Sequence, residues 1–168
     1  MSDRIRNAGY WKEKLQLTSH PEGGAYGEIY RAAMVLPQSV LTTMHNGDRN
    51  AMTSIYFLLG EGEYSAFHRI ASDELWHHYD GDTLCVYEIT PDGVLHTHFL
   101  GLEDGAIPFA VIKAGSWFAS RVAAGGSYTL CGCTVAPGFD FADFELANRT
   151  DLQAQYPQHA ALIAELTP

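Results

Sequence analysis

The stretch Glu61–Asp82, EGEYSAFHRIASDELWHHYDGD, decides how the rest of the chain is read. It brings His68, His77 and His78 together with Glu74. The run before it, TSIYFLL at Thr53–Leu59, is apolar and rich in strand-forming residues. GEG at 60–62 then gives a turn, and EYSAFHRI returns as a second strand, which is a hairpin signature. Alternation along that second arm puts Tyr64, Ala66, His68 and Ile70 on one face, and Glu63, Ser65, Phe67 and Arg69 on the other. In the next strand Glu74, Trp76 and His78 share a face, opposite Leu75, His77 and Tyr79. A bulge would swap that parity.

The same rhythm continues outward. ELWHHYD, TLCVYEIT, VLHTHFLG, FAVIKAG, SWFASRV, SYTLCGCTVAPG and FDFADFEL all read as strands, punctuated by glycine or proline. Strands repeating every eight to twelve residues or so predict an all-β sandwich or barrel. Upstream, residues 3–16 fit one amphipathic helix with Ile5, Tyr10, Trp11 and Leu15 as its apolar stripe. Pro21 and Gly23-Gly24 end it, and a strand is expected from Ala25 to Ala33. Pro37–Asn50 reads as a long loop or flap. The tail returns to short helices, with Thr150 as the expected N-cap and Pro157 as a break. The whole is read as one domain of 168 residues: a helical arm at 1–20, a barrel at 25–147 and a helical tail at 148–168.

Hydrophobic residues make up 46% of the chain and charged residues 18%, a globular composition. A net charge of −10 argues against nucleic acid and anionic membrane surfaces as partners, since both need clustered Lys and Arg. No apolar run is long enough for a membrane helix, and MSDRIRNAGYWKEKLQL has no apolar signal core. Cys85, Cys131 and Cys133 are an odd number of thiols, so a reduced, cytoplasmic protein is expected. Cys131 and Cys133 share one strand face and fit a buried structural role.

The spacing Gly62, five residues, His68, one residue, Ile70, three residues, Glu74, six residues, Gly81 resembles the first cupin motif, G-x5-H-x-H-x3,4-E-x6-G. KAGSWF resembles the second, P-x-G-x2-H, with Lys113 for the proline, Gly115 kept and Phe118 for the histidine. HPEGGAY at His20–Tyr26, TSIYFLL, FHRIASDELWH and VAPGFDFADFELA at Val135–Ala147 are similar to the marks of a small cupin family of unknown function. The resemblance implies a double-stranded β-helix, or jelly-roll, barrel with an N-terminal helix, often a homodimer. Family members are likened in shape to metal-free sugar epimerases and to seed-storage cupins, a likeness of fold that fixes no reaction.

In metal-binding cupins the two motifs supply three histidines and a glutamate. Here His68 and Glu74 match, while Ile70 and Phe118 are hydrocarbon, and two ligands rarely hold a divalent ion. The reading is therefore no metal cofactor. If a metal is present, His68, Glu74 and His78 are its candidate ligands, with His77 after a bulge, and Glu22, as further donors. HTHFLGLE offers a second pattern in His96, His98 and Glu103, but alternation places both histidines on a solvent face.

Without a metal the pocket is half apolar and half polar, as small-molecule sites usually are. His68 and Glu74 are the candidate acid–base pair. Tyr64, Ile70, Trp76 and Phe118 are candidate walls, with His77 and His78 beside them. Glu22 is placed at the mouth, where Gly23 and Gly24 let the backbone approach a ligand. Arg31 is a candidate for holding an anionic group. The alternating acids Asp140, Asp143 and Glu145 read as a solvated face. Three functions stay open: a metal-free, epimerase- or isomerase-like binder of a small polar metabolite, a metal-dependent dioxygenase or isomerase, and a storage-like barrel sealed by Trp76 and Phe118.

Overall fold

The computed structural model describes residues 6–168. The predicted helix forms over Ala8–Lys14, called α1, with Asn7 capping it by accepting from the Tyr10 amide. The part of the expected helix that includes Ile5 lies outside the described residues. Thirteen strands follow: β1 Thr18–Ser19, β2 Ala25–Arg31, β3 Val35–Leu36, β4 Arg49–Asn50, β5 Thr53–Gly60, β6 Tyr64–Arg69, β7 Asp73–Gly81, β8 Leu84–Ile89, β9 Leu95–Leu100, β10 Phe109–Ile112, β11 Trp117–Val122, β12 Tyr128–Ala136 and β13 Glu145–Leu146. Two helices, α2 Arg149–Gln155 and α3 Ala160–Glu165, close the chain. No helix among the described residues is long and apolar enough to cross a membrane.

Two antiparallel sheets face each other, in the orders β1-β2-β5-β12-β7-β10 and β13-β6-β11-β8-β9. This is the jelly-roll arrangement the resemblance implied. Between the sheets lies the barrel core, which includes Phe57, Trp76, Val86, Phe118, Cys131 and Cys133. The strands are apolar on their outer faces too, because helices cover both. The α1 segment lays Trp11 and Leu15 on Leu58, Tyr128 and Leu130 of the larger sheet. On the smaller sheet, Leu152, Tyr156, Ile163 and Leu166 cover Phe67, Ile89 and Trp117. Backbone bonds fix that cover: the Phe67 amide donates to the Leu166 carbonyl at 2.8 Å, and the Ala147 amide to the Phe67 carbonyl at 2.8 Å.

Several local expectations differ from the structure. FDFADFEL is a single 3-10 turn, Phe141–Asp143, followed by the two-residue β13. Asn148 rather than Thr150 caps α2, accepting from the Asp151 amide. Asp143 is not on a solvated face. It forms a buried ion pair with Arg49, at 2.5 Å and 2.6 Å, and accepts from the Asn46 amide. That pair, with His45 bonded to Ser72 at 2.9 Å, fastens the 37–50 segment to the barrel rim. The sequence does not show this pair, because partners 94 positions apart leave no mark in local sequence.

The outer cover gives a direct test. Ile163 is fully buried in it, far from the barrel interior. We expect Ile163→Ala to lower stability by about 2–5 kcal/mol in urea unfolding, with barrel amide resonances unmoved. A change under about 1 kcal/mol would mean the tail does not hold the smaller sheet.

Candidate functional site

The interior of the barrel is not filled from end to end. A cavity of about 600 Å³ opens at one end, within the range of small-molecule sites. His20, Glu22, His68, Ile70, Glu74 and Cys133 reach it, with Tyr26, Phe57, Phe139 and Phe141 as aromatic walls.

A bulge in β6 sets which side chains arrive there. Ser65 lies opposite Ser120 and His68 opposite Phe118, so three steps on β6 match two on β11. The extra residue turns Ser65 to the same side as His68. It also turns Tyr64 and Phe67 outward, into the cluster under α2 and α3. Tyr64 is therefore not a pocket wall, contrary to simple alternation.

β7 keeps the predicted parity over its first half. Glu74, Trp76 and His78 lie opposite Val135, Cys133 and Cys131, all inward. They differ in depth, because a strand rises about 3.4 Å per residue. Glu74 faces the cavity. Trp76 lies beneath it, edge-on to Phe57 at 5.7 Å and Phe118 at 6.5 Å, and does not line it. His78 is about 14 Å along the strand from Glu74 by the same rise and contacts the Asp82 carbonyl at 3.3 Å. His77 points outward onto Phe109, 5.1 Å between centroids. Neither histidine belongs to the site. Phe118 supports His68 from below, 4.1 Å between centroids, without lining the cavity.

Glu22 enters deeper than the mouth position expected of it. Gly23 and Gly24 have φ of +112° and +73°, and a Cβ on Gly23 would sit 2.1 Å from the Tyr64 carbonyl. This glycine pair presses the loop against β6, and the Glu22 carbonyl accepts from the Ala66 amide at 2.7 Å. The Glu22 side chain is then buried, with Oε1 accepting from Ser65 Oγ at 2.8 Å and Oε2 3.1 Å from His68 Nε2. So His68 pairs directly with Glu22 rather than with Glu74.

The proton count in that pair follows from geometry. His68 Nδ1 is 2.7 Å from the Ala66 carbonyl oxygen, which can only accept, so Nδ1 carries a hydrogen. Neutral His68 then presents a lone pair at Nε2 to a carboxyl oxygen. One proton must lie between them, and burial places it on Glu22. Desolvation pushes Glu22 up to about 7 and His68 down to about 4. Glu74 rises to about 8, through burial first and then the nearby Glu22 charge, while a hydrogen bond with Cys133 acts against the rise. Burial also pushes the Cys133 thiol well up. His20 accepts from the Glu22 amide at Nδ1, 3.3 Å, and burial lowers its pKa.

His20, Ser65 and Cys133 are site members that sequence reasoning did not assign. His20 stood in the HPEGGAY mark. Ser65 needed the bulge, and Cys133 was read as core, which it also is. At the rim, Arg31 is held by Glu28 through both Nε and Nη2, at 3.1 Å and 2.7 Å, and by Asn50 at 2.9 Å.

The donor set does not fit the metal that many cupins bind. Among the described residues, no three His, Cys, Asp or Glu side chains are grouped to hold an ion. Two positions of the motif are hydrocarbon, His68 Nε2 is turned onto Glu22, and His78 is too deep to join Glu74. His98 is bonded to Glu88 at 2.9 Å, and Glu103 approaches Thr83 rather than His96 or His98.

Linkage gives these shifts a sign. A carboxyl raised from 4.5 to about 7 or 8 contributes stability that is complete below 4.5 and lost as pH rises through the folded value. His68 acts oppositely, losing its contribution as pH falls from 6.5 toward 4. Glu74→Gln cannot ionise. Its stability relative to the parent should rise from about pH 5 to about pH 8, since each pH unit of such linkage is worth up to about 1.4 kcal/mol. Urea midpoints at the two pH values measure this, and a pH-independent difference would refute the raised carboxyl.

Known proteins give the context. The family described as cupin superfamily (DUF985) matches residues 9–147. A hypothetical protein from Leishmania major is 35% identical, with a TM-score of 0.89 over 96% of this chain and 99% of that one. A protein from Shewanella oneidensis is 39% identical, with a TM-score of 0.87 over 98% and 99%. An oxalate decarboxylase from Lactobacillus farciminis shares the fold alone, at 13% identity and a TM-score of 0.55, over 92% of this chain and 42% of that one. No curated protein matches the sequence. With its motifs, its paired jelly-roll sheets and these relatives, the chain belongs to the cupin superfamily, in the family DUF985.

Proposed function

We propose that this cupin binds a small polar metabolite in the barrel cavity and moves a proton on it without a metal, in the manner of an isomerase or epimerase. The observation that carries the reading is the Glu22–His68 contact, with one proton between two buried groups at a cavity wall. Such a proton is held where it is not solvated and can be passed to a bound molecule.

Glu22 and Glu74 are both raised into the neutral range, where general acids and bases work best. The His68 lone pair holds the proton on Glu22, so Glu74 is the carboxyl left to ionise, and in the reaction this arrangement fits it takes a proton from carbon beside a carbonyl. Protonated Glu22 hydrogen-bonds the oxygen on which charge develops and gives it that proton. His68, fixed by the Ala66 carbonyl, keeps Glu22 oriented and shares the proton when it returns. Return of that proton from Glu74 to the neighbouring carbon, with Glu22 taking back a proton from that carbon's hydroxyl, isomerises the substrate. The open cavity favours this reading over a sealed, storage-like barrel. The donor set disfavours the metal-dependent alternative, and no step here uses an ion.

Long-range proton–nitrogen correlation spectra should show His68 as the neutral Nδ1–H tautomer throughout pH 5–8, as a pKa of about 4 requires. An imidazolium at pH 7 would remove the relay. A thermal-shift screen of polar metabolites, sugar derivatives first, then supplies a ligand. His68→Gln should keep the fold but lower turnover of that ligand by about 100-fold or more. Unchanged turnover sinks the assignment. Protein expressed with iron, manganese, nickel and zinc on offer should carry well under one equivalent of each by plasma mass spectrometry. Stoichiometric metal would restore the metalloenzyme reading.

A further inference from the structure

The charges around the cavity are one-sided. Glu22 and Glu74 lie in its wall, and Glu28 and Asp140 stand at its rim. Among the described residues the single full cation bordering it is Arg31, and Glu28 already occupies its guanidinium fork. His20 and His68 present ring nitrogens that accept, from the Glu22 amide and from the Glu22 carboxyl respectively. Among the described residues an anionic ligand would meet no free cationic donor here and would face buried carboxyls.

Glu74 adds a second observation. Its side chain is only 7% exposed, yet it borders the cavity. Among the described residues its hydrogen-bond partner is the Cys133 thiol, a weak donor. Buried carboxyl oxygens with spare acceptor capacity need a donor, and the open side of Glu74 is the cavity itself. An ammonium group is a compact set of donors with no acceptor. Around it stand Tyr26, Phe57, Phe139 and Phe141, whose ring faces attract a desolvated cation. The chain's net charge of −10 steers cations toward it.

We propose that the cavity selects a small organic cation, an amine-bearing metabolite whose ammonium seats between Glu74 and Glu22 against the aromatic wall. This rests on the reading above that the cavity holds a small molecule, and it names the class. On binding, the ammonium favours ionised Glu74, while Glu22 keeps the proton it shares with His68, so uptake of the cation releases a proton. The groups facing the bound nitrogen are Glu22 and His20 from the glycine-turn loop, His68 from β6, Glu74 from β7 and Cys133 from β12. Glu28, Arg31 and Asp140 lie further out.

Three probes of one shape separate the charges: benzylamine, benzyl alcohol and benzoate, titrated at low salt with amide chemical shifts as readout. Benzylammonium should bind about tenfold or more tighter than benzyl alcohol, with benzoate weakest, and shifts should centre on Gly27, Ile70 and Cys133. Its affinity should rise from about pH 6 to about pH 8, as Glu74 releases its proton near 8. Calorimetry in two buffers of different ionisation heat should record the released proton. Glu74→Gln should cost benzylammonium about tenfold and benzyl alcohol about twofold at most. Glu74→Ala repeats the test if the first variant fails to fold. Benzyl alcohol or benzoate binding as tightly as the amine would overturn the cation and leave the pocket standing. Absence of binding by all three would overturn both.

Discussion

The Ala66 carbonyl accepts from His68 Nδ1, and everything chemical in the barrel follows from that bond. It fixes the imidazole tautomer, so Nε2 must face Glu22 with a lone pair. Glu22 must then bring a proton, and it can do so only in a buried setting that keeps its carboxyl neutral. The bulge that aims His68 inward also brings Ser65 to the other oxygen of the same carboxyl. One backbone irregularity thus sets two side chains of one strand, Ser65 and His68, on the same carboxyl.

That arrangement depends on covering surfaces remote from it. The inner barrel can hold a partly polar cavity because the sheets are secured from outside, by α1 on one and by α2 and α3 on the other. Phe67, on the bulge's outer side, is packed under Leu166 and hydrogen-bonded at both its amide and its carbonyl. The tail therefore helps hold the bulge in register. On the rim, the Arg49–Asp143 pair ties the 37–50 segment to the turn that carries Phe141, so an aromatic wall of the cavity is anchored by a charge pair beyond it.

The replacement of two metal-ligating positions has a physical logic. Ile70 gives the cavity an apolar wall where a second imidazole would stand. Phe118 places a ring under His68, which desolvates the imidazole and disfavours its charged form. The same burial raises Glu22 and Glu74. Groups that serve an ion in other cupins become, in this setting, a neutral acid–base array.

Most of the architecture was legible in the chain. Alternation and turn glycines determined most of the strands, the hairpin and the inward side of Glu74, Trp76 and His78, because those properties are periodic and local, and the resemblance to the cupin marks implied the jelly roll. His68 and Glu74 were legible for the same reason. The tertiary structure decided the rest. Tyr64 was misplaced because a bulge is set by pairing with β11. Glu22 was underestimated because its burial comes from a glycine turn pressed against another strand. Trp76 and His78 had the right face but the wrong depth, since alternation gives direction and not distance along the barrel. Which carboxyl meets His68, and where their shared proton sits, depends on contacts among chain-distant groups and on the water they exclude.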